Sequence, residues 1–210
     1  MPEDACRLFL ITPVIRDAAA FLPVFEAALE AGDVACVLLR QNAPDEGEAK
    51  KIIRALAAPA QQRGVACLIE GDARLALHTE VDGVHVDFGG EALDSALKQL
   101  KPQRIVGASG LMTRDDAMVA GEAGVDYLMF GGPQADETAD SIVERVAWWA
   151  DIFNVPCVGY AHSLTEAAAL VQAGADFVAV CDALWEDPRG VGPVLKDLSQ
   201  ILAKTRQAAQ

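Results

Sequence analysis

The residues of this chain that could do chemistry fall at the far ends of short apolar runs. Arg40 follows VACVLL, Glu70 and Asp72 follow VACLI, His85 and Asp87 lie in and after GVHV, and Ser109 ends RIVGAS. Gly131 and Gly132 follow VDYLMF, Gly159 to His162 close the run beginning at Val155, and Cys181 with Asp182 follows DFVAV. An arginine among carboxylates and histidines can grip an anion, offer oxygen to a metal, or move a proton. Each also has a bland use. Arg40 could pair with a carboxylate at a rim, His85 could be a satisfied core histidine, and the acids could be solvated loop ends. Position is what selects them, because a parallel barrel collects its chemistry at the C-terminal ends of its strands.

The elements that must hold these residues are marked by a repeated phrase. A helix ends on Ala-Gly, an acidic residue follows, and an apolar strand begins: EAGVDYLMF at 122–130, QAGADFVAV at 172–180 and a looser EAGDVACVLL at 30–39. Glycine there permits the left-handed cap that ends a helix, and the run after it suits a strand buried on both faces. Eight such runs can be placed, at 7–12, 34–40, 65–70, 83–86, 104–109, 125–131, 155–160 and 176–181. The stretches 18–31, 46–62 and 190–204 carry apolar residues three and four apart, as helices covering a barrel do. Thr113, and either Ser163 or Thr165, stand where a helix needs an N-cap. The pattern predicts an α/β fold, a (β/α)8 TIM barrel, with residues 1–210 as one domain. An open doubly wound sheet is the alternative, but ITPVIRD stands where a Gly-rich dinucleotide turn would follow the first strand.

Composition narrows the partners. A formal charge of −14 opposes nucleic acid and anionic membrane surfaces, and no apolar run approaches a bilayer's thickness. Met1 to Arg7 lacks the order of a signal peptide, so the expectation is a cytoplasmic protein acting on a small molecule. Cys6, Cys36, Cys67, Cys157 and Cys181 lack the close spacing of a zinc or redox site and read as core-filling side chains. Met112, Phe130, Tyr160 and Trp185 could line a pocket for a flat heterocycle or pack the rim. Trp148 and Trp149 could form a contact surface, or pack between helix and barrel.

The order of these strand ends resembles the thiamine phosphate synthase family, including its thiazole-tautomerase relatives, over nearly the whole chain. Leu8 to Thr12 matches the family's opening Leu-Tyr-Leu-Ile-Thr, and Arg40 its arginine after the second strand. Gly83-Val84-His85 matches a Gly-Val-His, Gly107 and Ser109 a Gly-x-Ser, and AGVDYLMFG and AGADFVAV the sixth and eighth strands. The resemblance implies a transferase of thiamine biosynthesis. It would join a hydroxymethylpyrimidine pyrophosphate to a thiazole phosphate, expelling pyrophosphate with Mg2+ assistance. The implied catalytic set is Arg40, His85 and Ser109. Substrate would meet Arg40, Gly131, Gly132, Gly159 and His162; Glu70, Asp72 and Asp87 are the candidate metal ligands. Family barrels often associate, so a homo-oligomer is expected.

The resemblance is to a divergent member of that family. The family's Gln-x-Arg-x-Lys reads Leu38-Leu39-Arg40-Gln41-Asn42 here, and the lysine loop after the sixth strand reads GGPQADETAD. The family's Asn-Asp falls on Glu70 and Gly71, its paired glycine after the seventh strand on Gly159 and Tyr160, and Asp182 stands where a phosphate loop is expected. The tautomerase histidine has no counterpart at Gly110 to Met112. Two other functions therefore stand beside the transferase: a non-catalytic or regulatory small-molecule-binding barrel, and a lyase or isomerase using His85, Asp87 and His162.

Overall fold

The structure is a computed structural model and describes residues 6–208. Eight strands alternate with helices in chain order. The first half runs β1 (Arg7–Ile15), α1 (Ala18–Ala31), β2 (Val34–Gln41), α2 (Glu46–Gln61), β3 (Ala66–Glu70), α3 (Ala73–Thr79), β4 (Gly83–Asp87) and α4 (Glu91–Leu100). The second half runs β5 (Ile105–Ser109), α5 (Arg114–Glu122), β6 (Tyr127–Phe130), α6 (Ala139–Ile152), β7 (Cys157–Tyr160), α7 (Leu164–Gln172), β8 (Phe177–Val180), the short α8 (Asp182–Trp185) and α9 (Val191–Ala208). Each strand pairs in parallel with the next, and β8 returns to β1, so the sheet is a closed barrel rather than an open one.

Closure follows from strands that are apolar on both faces. One alternating set, including Phe9, Ile11, Leu38, Leu68, Tyr127, Met129, Val158 and Ala179, fills the barrel, with Cys181 and Trp185 packed against it after β8. The opposite set, including Leu10, Val37, Ile69, Val84 and Val178, packs with the buried faces of the helices. On α6 those are Ile142, Val146 and Trp149, spaced at helical period. Trp149 is buried and its indole N–H donates to the Val155 carbonyl at 2.7 Å, while Trp148 is half-buried beneath the Arg114 guanidinium. The tryptophan pair is therefore packing between helix and barrel.

The repeated joints explain themselves. Gly124 (φ 91°) and Gly174 (φ 92°) take the left-handed conformation, whereas Gly32 in the looser copy is extended (φ −135°) and needs no such freedom. The acid of each joint ties the barrel's N-terminal end. The Asp126 carboxylate accepts from the Val106 backbone N–H at 2.8 Å, and Asp176 from Cys157 at 2.8 Å. Asp82, before β4, does the same for Cys67 at 2.7 Å. Strands β4, β6 and β8 are thus each stapled to their predecessor. Thr113 caps α5 in a reciprocal capping box with Asp116, and Ser163 rather than Thr165 caps α7. All five cysteines are free, four of them buried, and burial pushes the thiols of Cys6, Cys157 and Cys181 up to about 12. Among the described residues, no helix is long and apolar enough to cross a membrane.

Candidate active site at the barrel mouth

The C-terminal strand ends open on a cavity of about 760 Å3. Seven of the expected residues line it: Arg40, Glu70, His85, Asp87, Ser109, Gly131 and Gly132. Period-two alternation places them. Arg40 shares its face of β2 with Leu38 and Ser109 its face of β5 with Gly107, whereas Gly131, past the end of β6, lines the cavity although a Cβ there would stand 2.6 Å from Ile142 of α6.

Arg40 is buried, with 7% of its surface exposed, and its backbone N–H donates to the Thr12 hydroxyl at 2.9 Å. Its Nε donates to Glu70 Oε1 at 3.0 Å, so the mouth's buried cation is already paired with a half-exposed carboxylate. On the next strands the Ser109 hydroxyl donates to Asp87 Oδ1 at 2.8 Å, which holds that carboxylate at the rim. His85 lies one layer deeper, level with Glu70 in the β3–β4 register. Its Nδ1 is 2.7 Å from the Tyr127 hydroxyl, and burial lowers its pKa to about 4 against the opposing influence of Asp87.

Two further residues shape the opening. Glu137 lines the cavity and pairs with Arg145, which also donates to the Leu111 carbonyl and lies over the Phe130 ring at 5.3 Å. Arg145 so ties the loop after β5 to the loop after β6. Sequence reasoning missed Tyr127, although alternation with Met129 marks it as inward. Glu137 and Arg145 carried no usable signal, because their pairing depends on how a loop folds back on its helix.

Several expected residues are elsewhere. Asp72 caps α3, its carboxylate accepting from the Leu75 N–H at 3.0 Å, and it does not line the cavity with Glu70 and Asp87. Among the described residues, no three His, Cys, Asp or Glu side chains come together as a metal site. Gly159 faces the helices, where a Cβ would stand 2.6 Å from Leu170, because Val158 and Tyr160 take the inward positions of β7. His162 is exposed, with its ring edge-on to Tyr160 and its backbone N–H bound to Glu166 at 2.8 Å, and it is absent from the cavity wall. Of the four residues considered for an apolar pocket, Met112 alone reaches the cavity. Phe130 packs outward on Trp149, Trp185 donates to the Ile11 carbonyl and packs on Phe21, and Tyr160 is buried inside the barrel.

Fold and mouth together define a small-molecule barrel protein, with a polar ring of arginine, histidine, serine and carboxylates over an apolar plug. The thiamine monophosphate synthase family model matches residues 8–184. The chain is 41% identical to a thiamine-phosphate synthase of Rhodospirillum centenum over 207 residues, covering 94% of this chain and 98% of that one. It is 36% identical to another of Hyphomonas neptunium, covering 95% of each. The chain belongs to the thiamine monophosphate synthase family. Its fold is also that of a thiamine phosphate pyrophosphorylase from Pyrococcus furiosus, with a TM-score of 0.81 at 20% identity, covering 97% of this chain and 98% of that one.

Proposed function

We infer that this barrel acts as a thiamine-phosphate synthase, joining a pyrimidine pyrophosphate to a thiazole phosphate and releasing pyrophosphate. The observation that carries the reading is the buried Arg40, held at the cavity wall by the Thr12 contact with Ser109 and Asp87 in the same cavity. The Arg40 guanidinium, with Nε held by Glu70, can meet an oxygen of the leaving group. Ser109 and Asp87 offer a hydroxyl and a carboxylate at the rim, and the backbone at Gly131 and Gly132 can approach a phosphate closely, since Gly132 has open space around it. His85 supplies an uncharged imidazole to the deep part of the site.

Mg2+ needs few protein oxygens and keeps most of its water. Asp87, with one oxygen engaged by Ser109, and Glu70, with one engaged by Arg40, fit that demand and would hold the ion. When bound it supplies positive charge to the departing pyrophosphate. Arg40 would then orient the same group, and the apolar plug beneath would exclude water from the pyrimidine cation.

The test is chromatographic detection of thiamine phosphate after mixing pure protein with both substrates and Mg2+. Product that disappears in Arg40→Ala, with the melting temperature kept, supports the reading. A second reading is favoured by one observation: among the described residues no lysine lines the mouth, and Glu70, Asp87 and Glu137 do. A folded protein that binds ligand without product would establish that reading, a non-catalytic binding barrel.

A further inference from the structure

The pair formed by His85 and Tyr127 joins the floor of the mouth to the barrel interior. His85 lines the mouth cavity; Tyr127 lines a separate apolar cavity of about 240 Å3 toward the N-terminal end of the barrel. The two rings are nearly parallel, 15° apart with centroids at 5.6 Å, and Nδ1 meets the phenol oxygen at 2.7 Å. Tyr127 is further fixed by Phe9, 5.5 Å away between centroids. Gly107 makes the arrangement possible: a Cβ there would fall within the Tyr127 ring. The glycine of the Gly-x-Ser motif therefore makes room for the tyrosine, while its serine holds Asp87.

Counting donors settles the direction of the bond. The Tyr127 hydroxyl has His85 as its one hydrogen-bond partner among the described residues. If Nδ1 carried the proton, the phenol O–H would be a buried donor with no acceptor, which is costly. If the phenol donates, Nδ1 accepts and every buried donor of the pair is satisfied. The imidazole proton then resides on Nε2. That atom has no partner among the described residues and is not among the described buried nitrogens left unsatisfied, so it is open to the cavity that the ring lines.

We propose that Tyr127 is a positioning residue that locks His85 in the Nε2–H form, so that the floor of the mouth presents one fixed donor to an uncharged acceptor atom of a heterocyclic ligand. A neutral donor suits a ring nitrogen or hydroxyl better than a phosphate, which draws charged partners. The catalytic consequence rests on the transferase reading; the tautomer does not.

The experiment is nitrogen-15 NMR of the full chain labelled at histidine, at neutral pH, with His85 assigned by its loss in His85→Asn. The expected spectrum has a protonated Nε2 and an unprotonated, hydrogen-bonded Nδ1. Tyr127→Phe keeps the ring but removes the donor, and its His85 signals should move toward those of exchanging tautomers. In the transferase assay Tyr127→Phe should lower kcat/KM severalfold. A protonated Nδ1 in the unmodified protein, or a spectrum unchanged in Tyr127→Phe, overturns the proposal. Should Tyr127→Phe fail to fold, the spectrum of the unmodified protein decides alone. Because the NMR needs no turnover, failure of the transferase leaves the tautomer result intact.

Discussion

Replacing Glu70 by Gln asks whether the carboxylate competes with ligand for Arg40. The salt bridge is 3.0 Å long but uneven: the Arg40 side chain is 8% exposed and that of Glu70 51%. Water around the carboxylate screens the attraction, so the pair is worth about 1 kcal/mol rather than the several expected of a dry pair. Glutamine keeps the size and an acceptor oxygen but not the charge. Releasing Arg40 from that competition should therefore tighten binding of inorganic pyrophosphate about fivefold, since 1.4 kcal/mol corresponds to roughly tenfold. The assay is isothermal titration with pyrophosphate in magnesium-free buffer, with a thermal melt of the same variant. The melting temperature should stay within a few degrees, because Glu70 is half in solvent. Unchanged or weaker affinity in that buffer would refute the reasoning, showing either that Arg40 does not meet the anion or that Glu70 contributes to its binding.

Other changes test the framework. Gly107→Ala should destabilise the protein by about 1–3 kcal/mol, seen as a lower melting temperature, because the new methyl collides with Tyr127. Ser163→Ala should cost about 1 kcal/mol in chemical denaturation, whereas Thr165→Ala should cost less than about 0.5 kcal/mol, since Ser163 caps α7. Burial depresses the folded-state pKa of His85 to about 4 from 6.5, so the unfolded chain binds the extra proton first. Stability should fall as pH drops from about 6.5 toward 4, by up to about 3 kcal/mol from this group. Denaturant titrations across that window should show a shallower acid-side loss in His85→Asn; an identical slope would exclude the effect. Finally, raised thiol pKa values and burial predict that Cys67 and Cys157 resist alkylation at pH 8 until denaturant is added, as counted by mass spectrometry.

Much of the barrel was legible in order. Eight apolar runs and helical spacing between them locate all eight strands, because both signals are local consequences of backbone geometry. Strand ends shifted by a few residues: β1 continues to Ile15, beyond the expected Thr12, through an irregularity in its pairing with β2. The rule that chemistry gathers at strand ends led to seven residues that share one cavity. It failed for Gly159 because two-residue alternation turns that position outward, and for Asp72 because a helix began there and used the carboxylate as its cap.

What the sequence determined by itself is the fold, the family resemblance and the identity of the mouth's central residues. Repeated αβ joints and short ordered motifs are properties of chain neighbours. Only the tertiary structure decided which groups neutralise which. Arg40 and Glu70 are thirty positions apart in the chain, His85 and Tyr127 forty-two, and their contacts exist because barrel closure brings alternate strand faces into one interior. The same closure turned the acid of the repeated phrase into a staple between strands, since a carboxylate at a strand's start can reach the free N–H of the strand beside it.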